Sequence, residues 1–151
     1  QSHALPVGSS GGSAIAAKPA SKLFDTVPDP RTFDARVKAW RLAWGGMLVV
    51  QVSGDGRAVV EALIQRPEYA EVKLLAAVSD DVPLDDDDLL LWGVFTRFDC
   101  ARDLIPAQVE TRGAWTVCKG PLGIDAMMKP GYPDPVANLP EVIAGVDAWW
   151  G

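Results

Sequence analysis

Residues 85–107 constrain the fold more than any other stretch, because an acidic run leads directly into an apolar run there. Four consecutive aspartates, residues 85–88, stand where the first turn of a helix would begin. Carboxylates at that position complement the positive end of the helix dipole and cap free backbone N–H groups. The helix that follows is apolar on nearly every side, which predicts that it is buried or covered by a partner. Its apolar residues are Leu89, Leu90, Leu91, Trp92, Val94 and Phe95.

The exit of this helix carries alternating charges. Arg97, Asp99, Arg102 and Asp103 form the pattern R-x-D-x-x-R-D. We expect Arg97 and Arg102 to pair with Asp99, Asp103 or Asp125 and so to fix the exit of the helix. Such pairs are a scaffold feature, and they do not in themselves form a catalytic site.

Length and charge exclude several classes of protein. A chain of 151 residues predicts one domain, or one domain with a tail. No apolar run approaches the ~18 residues that a membrane-spanning helix needs. A net charge of −6 argues against nucleic acid as a partner, because phosphate binding requires a basic surface. The N-terminus lacks the pattern of a signal peptide, so we expect a cytoplasmic location.

Cysteine and histidine usage narrows the chemistry further. Cys100 and Cys118 form no C-x-x-C pair and no disulfide framework, which favours free thiols. A catalytic thiol would need a base, and the single histidine, His3, lies near the start of the chain. This composition excludes Ser-His-Asp and Cys-His catalysis and a zinc ion held by imidazoles.

The remaining pattern alternates between helices and strands. Apolar residues at three- and four-residue steps (Phe33, Val37, Trp40, Trp44) predict a helix over 31–44. Apolar runs predict buried parallel strands, and a second helix precedes the acidic one. The fold class is therefore α/β, a small three-layer domain with a mostly parallel sheet flanked by helices. Strands are predicted over 47–52, 72–78 and 104–107, and the second helix over 57–66.

The ends of the chain differ from this middle part in composition. Residues 1–30 are rich in Gly, Ser, Ala and Pro and predict a flexible arm, a linker or a tag; a phosphate-binding role for residues 8–13 is an alternative. The α/β domain occupies 31–130, and 131–151 form an extended arm and a terminal helix. Trp149 and Trp150 on that helix suggest docking on a neighbouring subunit, the alternative being packing on their own core.

Ligands of parallel sheets usually lie beyond the carboxyl ends of the strands. The prediction places residues 53–56, 79–81 and 108–112 together at that edge. One alternative is a Mg²⁺ or Ca²⁺ site made from Asp55, Asp80, Asp81 and Asp86, although helix capping explains most of these carboxylates. Further along, glycines and a proline surround Lys119 and Asp125, which predicts an ordered loop over 115–126 that runs close to another backbone.

Two segments resemble the C-terminal domain of the UbiD family of decarboxylases. VSDDVPLDDDDLLLWGVFTRFDCARDLI, residues 78–105, is similar to that family's acidic strand end, its helix ending in W-A-x-x-T-R, and its D-x-x-R-D segment. GPLGIDAMMK, residues 120–129, resembles its G-x-D-A-(T)-x-K segment. Met127 stands where Thr is usual, and Gly93 where Ala is common. The resemblance covers roughly residues 40–130.

The resemblance implies a function that this chain would share with a partner. UbiD-like enzymes reversibly decarboxylate aromatic or α,β-unsaturated acids with prenylated flavin mononucleotide (prenylated FMN), a divalent metal such as Mn²⁺, and potassium. Their cofactor ligands and acid/base residues lie in a preceding flavin-binding domain, so no catalytic residue carries over to this sequence. We expect prenylated FMN and Mn²⁺ on a partner subunit, and neither on this chain.

Three hypotheses follow. The first is a small subunit or separated domain of a UbiD-like decarboxylase or carboxylase, active only within a complex, that completes or closes the site of a larger flavin-binding subunit. The second is a non-catalytic module for assembly or regulation, and the third is an autonomous small enzyme. Candidate structural or interface residues are Arg97, Asp99, Arg102, Asp103, Lys119, Asp125, Trp149 and Trp150. The expected partners are the larger subunit, further copies of the chain, or both.

Overall fold

The fold was taken from a computed structural model, which describes residues 26–132. Five strands form one sheet in the order β1-β2-β3-β5-β4. Strands β2, β3 and β5 run parallel, while β1 and β4 are antiparallel to their neighbours at the two edges. The elements are β1 (Val37–Ala43), β2 (Met47–Val52), α1 (Gly56–Ile64), β3 (Leu74–Ser79), α2 (Asp87–Phe95), β4 (Leu104–Arg112) and β5 (Trp115–Ala126).

One helix packs on each face of the sheet, which confirms the α/β class. Alternate side chains of β2 and β3 point to opposite faces and divide the core into two clusters. Helix α1 packs through Val59, Val60 and Leu63 on one face. Helix α2 packs through Leu90 and Val94 on the other. The outer side of α2 carries Leu91 and Phe95, which are 41% and 50% exposed, so this apolar helix is only half buried within the described chain.

The two helices begin where the sequence predicts, at capping aspartates. Asp55 Oδ1 accepts the backbone N–H of Ala58 at 3.0 Å to start α1. Asp86 Oδ1 accepts that of Leu89 at 3.0 Å to start α2. Neither helix in the described part of the chain is long and apolar enough to cross a membrane.

The predicted helix over 31–44 is wrong. Asp29 caps a short 3₁₀ turn, Pro30–Thr32, and β1 follows. Strand β1 has a bulge between Val37 and Ala39, which shifts its alternation by one residue. Val37, Trp40 and Leu42 therefore share one face of the sheet despite the three-residue step between the first two. A three-residue step is also typical of one face of a helix, which is why the sequence pattern predicted a helix here.

The loop predicted over 115–126 is a strand, and the sheet is mixed where a mostly parallel one was predicted, because two of its four strand pairings are antiparallel. Residues Trp115–Ala126 form a twelve-residue strand that pairs in parallel with β3 and antiparallel with β4. Its glycines reflect close packing: a Cβ on Gly123 would lie 2.4 Å from Val60 Cγ1 and 2.8 Å from the carbonyl oxygen of Ile105. The prediction that residues 115–126 run close to another backbone was therefore correct, and the prediction that they form a loop was wrong. The short strand over 104–107 continues to Arg112.

Several predictions lie outside the described residues. These are the first 25 residues of the arm predicted over 1–30, the alternative phosphate site over 8–13, all but the first two residues of the extended arm and terminal helix predicted over 131–151, and Trp149 and Trp150.

Candidate functional site

The carboxyl ends of the parallel strands β2, β3 and β5 meet at one edge of the sheet. Residues 53–56, 79–81 and 125–129 lie there. The backbone N–H of Met128 donates to Ser79 Oγ at 2.7 Å, which joins the end of β5 to the end of β3. Gly56 leaves room for Met127, since a Cβ on this glycine would lie 2.2 Å from Met127 Cγ. Residues 108–112 were predicted at this edge, but β4 is antiparallel and carries them to the opposite one.

Arg97 is the most deeply buried charged residue of the edge. Its side chain is 0% exposed, and its Nη1 and Nη2 donate to Asp81 Oδ1 and Oδ2 at 2.9 and 2.8 Å. Helix α2 ends just before Arg97, so the guanidinium lies between the helix exit and the end of β3. The hydrogen bonds from Arg97 hold the pKa of Asp81 below its usual value. The charge pattern at the helix exit does not identify Asp81 as the partner of Arg97.

The second arginine of the pattern pairs with one of the carboxylates expected for it. Arg102 Nε and Nη2 donate to Asp103 Oδ1 and Oδ2 at 2.9 and 3.0 Å. The Asp103 side chain is 2% exposed and also accepts the backbone N–H of Asp99 at 2.8 Å. The side-chain hydrogen bond from Arg102, with the backbone N–H of Asp99 and the charge of Lys129, lowers the pKa of Asp103 to about 2. Arg102 Nη2 also donates to Tyr132 Oη at 2.9 Å.

Lys129 joins these groups and is the residue that the candidate set misses. Its Nζ donates to the carbonyl oxygens of Arg97, Asp125 and Met127 at 2.9, 2.8 and 3.1 Å. It also lies 3.5 Å from Asp103 Oδ2 and 3.8 Å from Asp125 Oδ1. Its position as the last residue of the GPLGIDAMMK segment was the available signal. Asp81, Arg97, Asp103, Asp125 and Lys129 are called the edge cluster below.

The other candidates occupy different places. Asp99 is exposed and accepts the backbone N–H of Ala101 at 2.7 Å. Asp125 is 9% exposed and accepts the backbone N–H of Met127 at 3.2 Å. Lys119 lies towards the opposite edge of the sheet, 3.1 Å from Glu110, beside a cavity of about 190 Å³ that Arg66 also lines. The structure therefore joins Arg97, Asp103 and Asp125 with Lys129 and leaves Lys119 apart.

Three of the four aspartates of the alternative metal site serve other purposes. Asp55 and Asp86 cap helices, and Asp81 binds Arg97. Between residues 26 and 132, no group of three or more His, Cys, Asp or Glu side chains is placed to hold a metal ion. Cys100 and Cys118 are exposed free thiols. The edge cluster is arranged to fix backbone segments, because its cations are already bound to carboxylates and carbonyls.

Comparison with known proteins yields no matching family model but a clear likeness of fold. An evolved dimeric form of the UbiD-class enzyme HmfF from Pelotomaculum thermopropionicum, in complex with prFMN, is 18% identical with a TM-score of 0.50, over 76% of this chain and 26% of that one. The fold is similar to part of a UbiD-class enzyme. This likeness confirms, for the fold, the resemblance drawn from the sequence motifs.

Two other solved structures show weaker likenesses. Vanillic acid decarboxylase from Sedimentibacter hydroxybenzoicus in closed form is 19% identical, with a TM-score of 0.48 over 78% of this chain and 26% of that one. The 3,4-dihydroxybenzoic acid decarboxylase AroY from Klebsiella pneumoniae is 18% identical, with a TM-score of 0.46 over 81% and 28%. This chain spans about a quarter of the length of these structures.

Proposed function

We propose that this chain is a small subunit or separated domain of a UbiD-like decarboxylase or carboxylase, and that it completes or closes the active site of a larger flavin-binding subunit. The observation that carries the proposal is the likeness of fold to about a quarter of an enzyme that holds prFMN. The chemistry of the described residues agrees with a structural role for this chain and with catalysis on the larger subunit. The edge cluster fixes backbone segments and offers no unpaired acid or base.

The described residues do not fit the cofactors of a complete UbiD-like enzyme. A flavin mononucleotide brings a phosphate, which needs cationic or N–H donors. The cations of this edge, Arg97, Arg102 and Lys129, are already bound. Exposed carboxylates also lie nearby, on Asp55, Asp80 and residues 85–88. A divalent metal ion would need a cluster of ligands, and residues 26–132 hold none. We therefore assign prenylated FMN and Mn²⁺ to the larger subunit.

The role of this chain would be to present a rigid edge. Arg97 and Lys129 fix the exit of α2 against the ends of β3 and β5, so the carboxyl edge moves as one body. A rigid edge that closes over a site excludes water and holds the substrate in a productive geometry without contributing a reacting group. The direction of the reaction and the identity of the acid follow from the larger subunit.

Reconstitution tests this role. The full chain is purified with its larger subunit, the complex is assayed for flavin absorbance and for carbon dioxide release or fixation, and the small chain is then removed and added back. We expect activity to fall on removal and to return on addition. Unchanged activity would refute the role, as would stoichiometric binding of flavin mononucleotide or Mn²⁺ to the chain alone at sub-millimolar affinity.

A pair of charge reversals tests the orientation. Asp80 is exposed at the carboxyl edge, and Glu71 is exposed before β3 at the opposite edge. Asp80→Lys should lower the turnover of the reconstituted complex, while Glu71→Lys should leave it unchanged. Equal effects of the two substitutions would contradict the proposed orientation.

A second candidate role is assembly or regulation without any part in the chemistry. The observation in its favour is exposed apolar surface: Trp115 is 76% exposed, and Leu91 and Phe95 are exposed on α2. Under this role, removal of the chain would change the sedimentation of the complex and leave turnover per flavin site unaltered. The reconstitution assay therefore separates the two.

A further inference from the structure

The distal half of the β4–β5 hairpin projects beyond the rest of the sheet. Strand β3 pairs with β5 only from Leu122 onward, whereas β4 and β5 remain paired as far as Arg112 and Trp115. Residues 108–119 are exposed except for Glu110 and Val117, which are half-buried. A two-stranded hairpin is only marginally stable by itself in water. This projection is therefore a surface that a partner strand would stabilise.

The outer edge of β4 is open within the described chain. Strand β4 lies at the end of the sheet, and Gly113 and Ala114 form the two-residue turn after it. In such a hairpin the residues that flank the turn are hydrogen-bonded to each other, so the backbone groups of alternate residues point outward. Those residues are Val109 and Thr111. Neither has a backbone hydrogen bond to any other element within residues 26–132.

The distal part of this edge has little of the usual protection against pairing. Proteins blunt an open edge with proline, with charged side chains, with a bulge or by covering it. Pro106 and the bulge between Pro106 and Gln108 do so for the first part of β4. The part from Val109 to Arg112 has a single acid, Glu110, two positions from a single base, Arg112. Both side chains lie on the same face of the hairpin, where Arg112 Nε binds Glu110 Oε1. An acid and a base at this spacing complement a second copy of the same strand.

We propose that β4 pairs antiparallel with β4 of a second copy of this chain, about a two-fold axis at Thr111. In that register Thr111 faces Thr111 of the copy as a hydrogen-bonded pair, which agrees with its outward backbone groups. Glu110 of each chain then faces Arg112 of the other, which makes two equivalent ion pairs. Both are non-hydrogen-bonded pairs, in which side chains approach most closely. Shifting the axis to Glu110 would place two carboxylates opposite each other. Of these two registers, the charges favour the one centred on Thr111.

This proposal does not rest on the decarboxylase role. In this register residues 110–112 face strand residues of the copy, whereas Val109 faces Gly113 of the turn, because β4 ends at Arg112. The contact is smaller than most specific interfaces, so weak self-association is expected. Other occupants of the edge are a segment of this chain outside residues 26–132 and a strand of an unrelated protein. With either of these occupants, the purified full chain would not pair with a second copy of itself at Thr111.

Cross-linking tests the register. In the full chain with Cys100→Ser and Cys118→Ser, Thr111→Cys should form a disulfide dimer under mild oxidation, because paired residues lie within disulfide reach. Val109→Cys is the matched control, with an outward backbone on the same strand and face. In the proposed register Val109 lies about 13 Å along the strand from its own copy, too far to cross-link. Preferential cross-linking through Val109, or none above background through Thr111, would overturn the proposal.

Sedimentation equilibrium of charge variants tests the pairing independently. Glu110→Arg and Arg112→Glu alone should each weaken self-association by at least about tenfold, because both symmetric pairs become repulsive. An equimolar mixture of the two variants should associate again, since each chain then presents the complement of the other. Far-UV circular dichroism checks that both variants are folded. A mixture that stays monomeric, or a wild-type chain that is monomeric at millimolar concentration, refutes the interface.

Discussion

Replacing Arg97 by alanine should cost about 3 kcal/mol of stability, more than any exposed ion pair in the described chain. The guanidinium is 0% exposed and donates twice to Asp81, at 2.9 and 2.8 Å. Truncation breaks a buried ion pair, a change that typically costs about 3–5 kcal/mol. Because Asp81 is 34% exposed, water recovers part of that cost, so we take the lower end of the range.

Urea denaturation followed by circular dichroism measures this loss, and thermal unfolding should show a melting temperature lower by about 10 °C. Arg31→Ala is the matched control. Arg31 binds Asp29 with a similar two-point geometry, but its side chain is 54% exposed, so the denaturation midpoint should not move.

Two outcomes would refute the reasoning. If Arg97→Ala unfolds at the wild-type midpoint, the segment after α2 is solvated and has no scaffold role. If the substitution destabilises but a double-mutant cycle with Asp81→Asn gives no coupling energy, contacts other than the Asp81 ion pair account for the loss. We expect a coupling energy of at least about 1 kcal/mol.

Three further predictions concern the edge cluster and the packing of α2. The pKa of Asp103 is about 2, below its ordinary value of 3.8, so its ionised form should contribute about 2 kcal/mol above pH 4 that is lost as the pH falls towards 2. Asp103→Asn should reduce this loss of unfolding free energy at low pH, as measured by urea denaturation. An unchanged loss would contradict the role of Asp103. Lys129→Ala should destabilise, because three carbonyls lose their donor, and ammonium chloride should restore the melting temperature more than sodium chloride does; the exposed Lys119→Ala should show neither effect. A Cβ on Gly93 would lie 2.7 and 2.9 Å from the Cγ atoms of the buried Val82, so Gly93→Ala should cost about 1–3 kcal/mol by denaturation despite its gain in helix propensity. Addition of Val82→Ala should then cost less than it does in the wild type, and full additivity would rule out the clash.

The sequence predicted what local chemistry determines. Capping aspartates and continuous apolar runs placed α1, α2, β2 and β3, because each signal lies within the element that it defines. The miss at β1 has an equally physical cause. The bulge between Val37 and Ala39 gives a strand the spacing of a helix, and a bulge is visible only once the pairing partner is known.

Strand β5 was missed because its glycines carry information about tertiary packing. Gly123 is needed where Val60 and the Ile105 backbone approach, and Gly120 has a positive φ of 74° next to the β4 bulge. In isolation the same residues indicate a loop. The pairing of Arg97 with Asp81 was hidden for a similar reason, because it depends on how closely the exit of α2 returns to the end of β3.

The direction of the pKa shifts also bears on the proposed division of labour. A general acid at neutral pH needs a carboxyl pKa raised towards the working pH, which an apolar pocket produces. Arg97 and Arg102 instead lower the pKa values of Asp81 and Asp103. Both carboxylates therefore remain ionised across the physiological range, and the ion pairs of Asp81 with Arg97 and of Asp103 with Arg102 do not vary with pH in that range. Under the proposed role, proton transfer would come from groups on the larger subunit, and the edge cluster would act on the reaction by fixing the surface that closes over it.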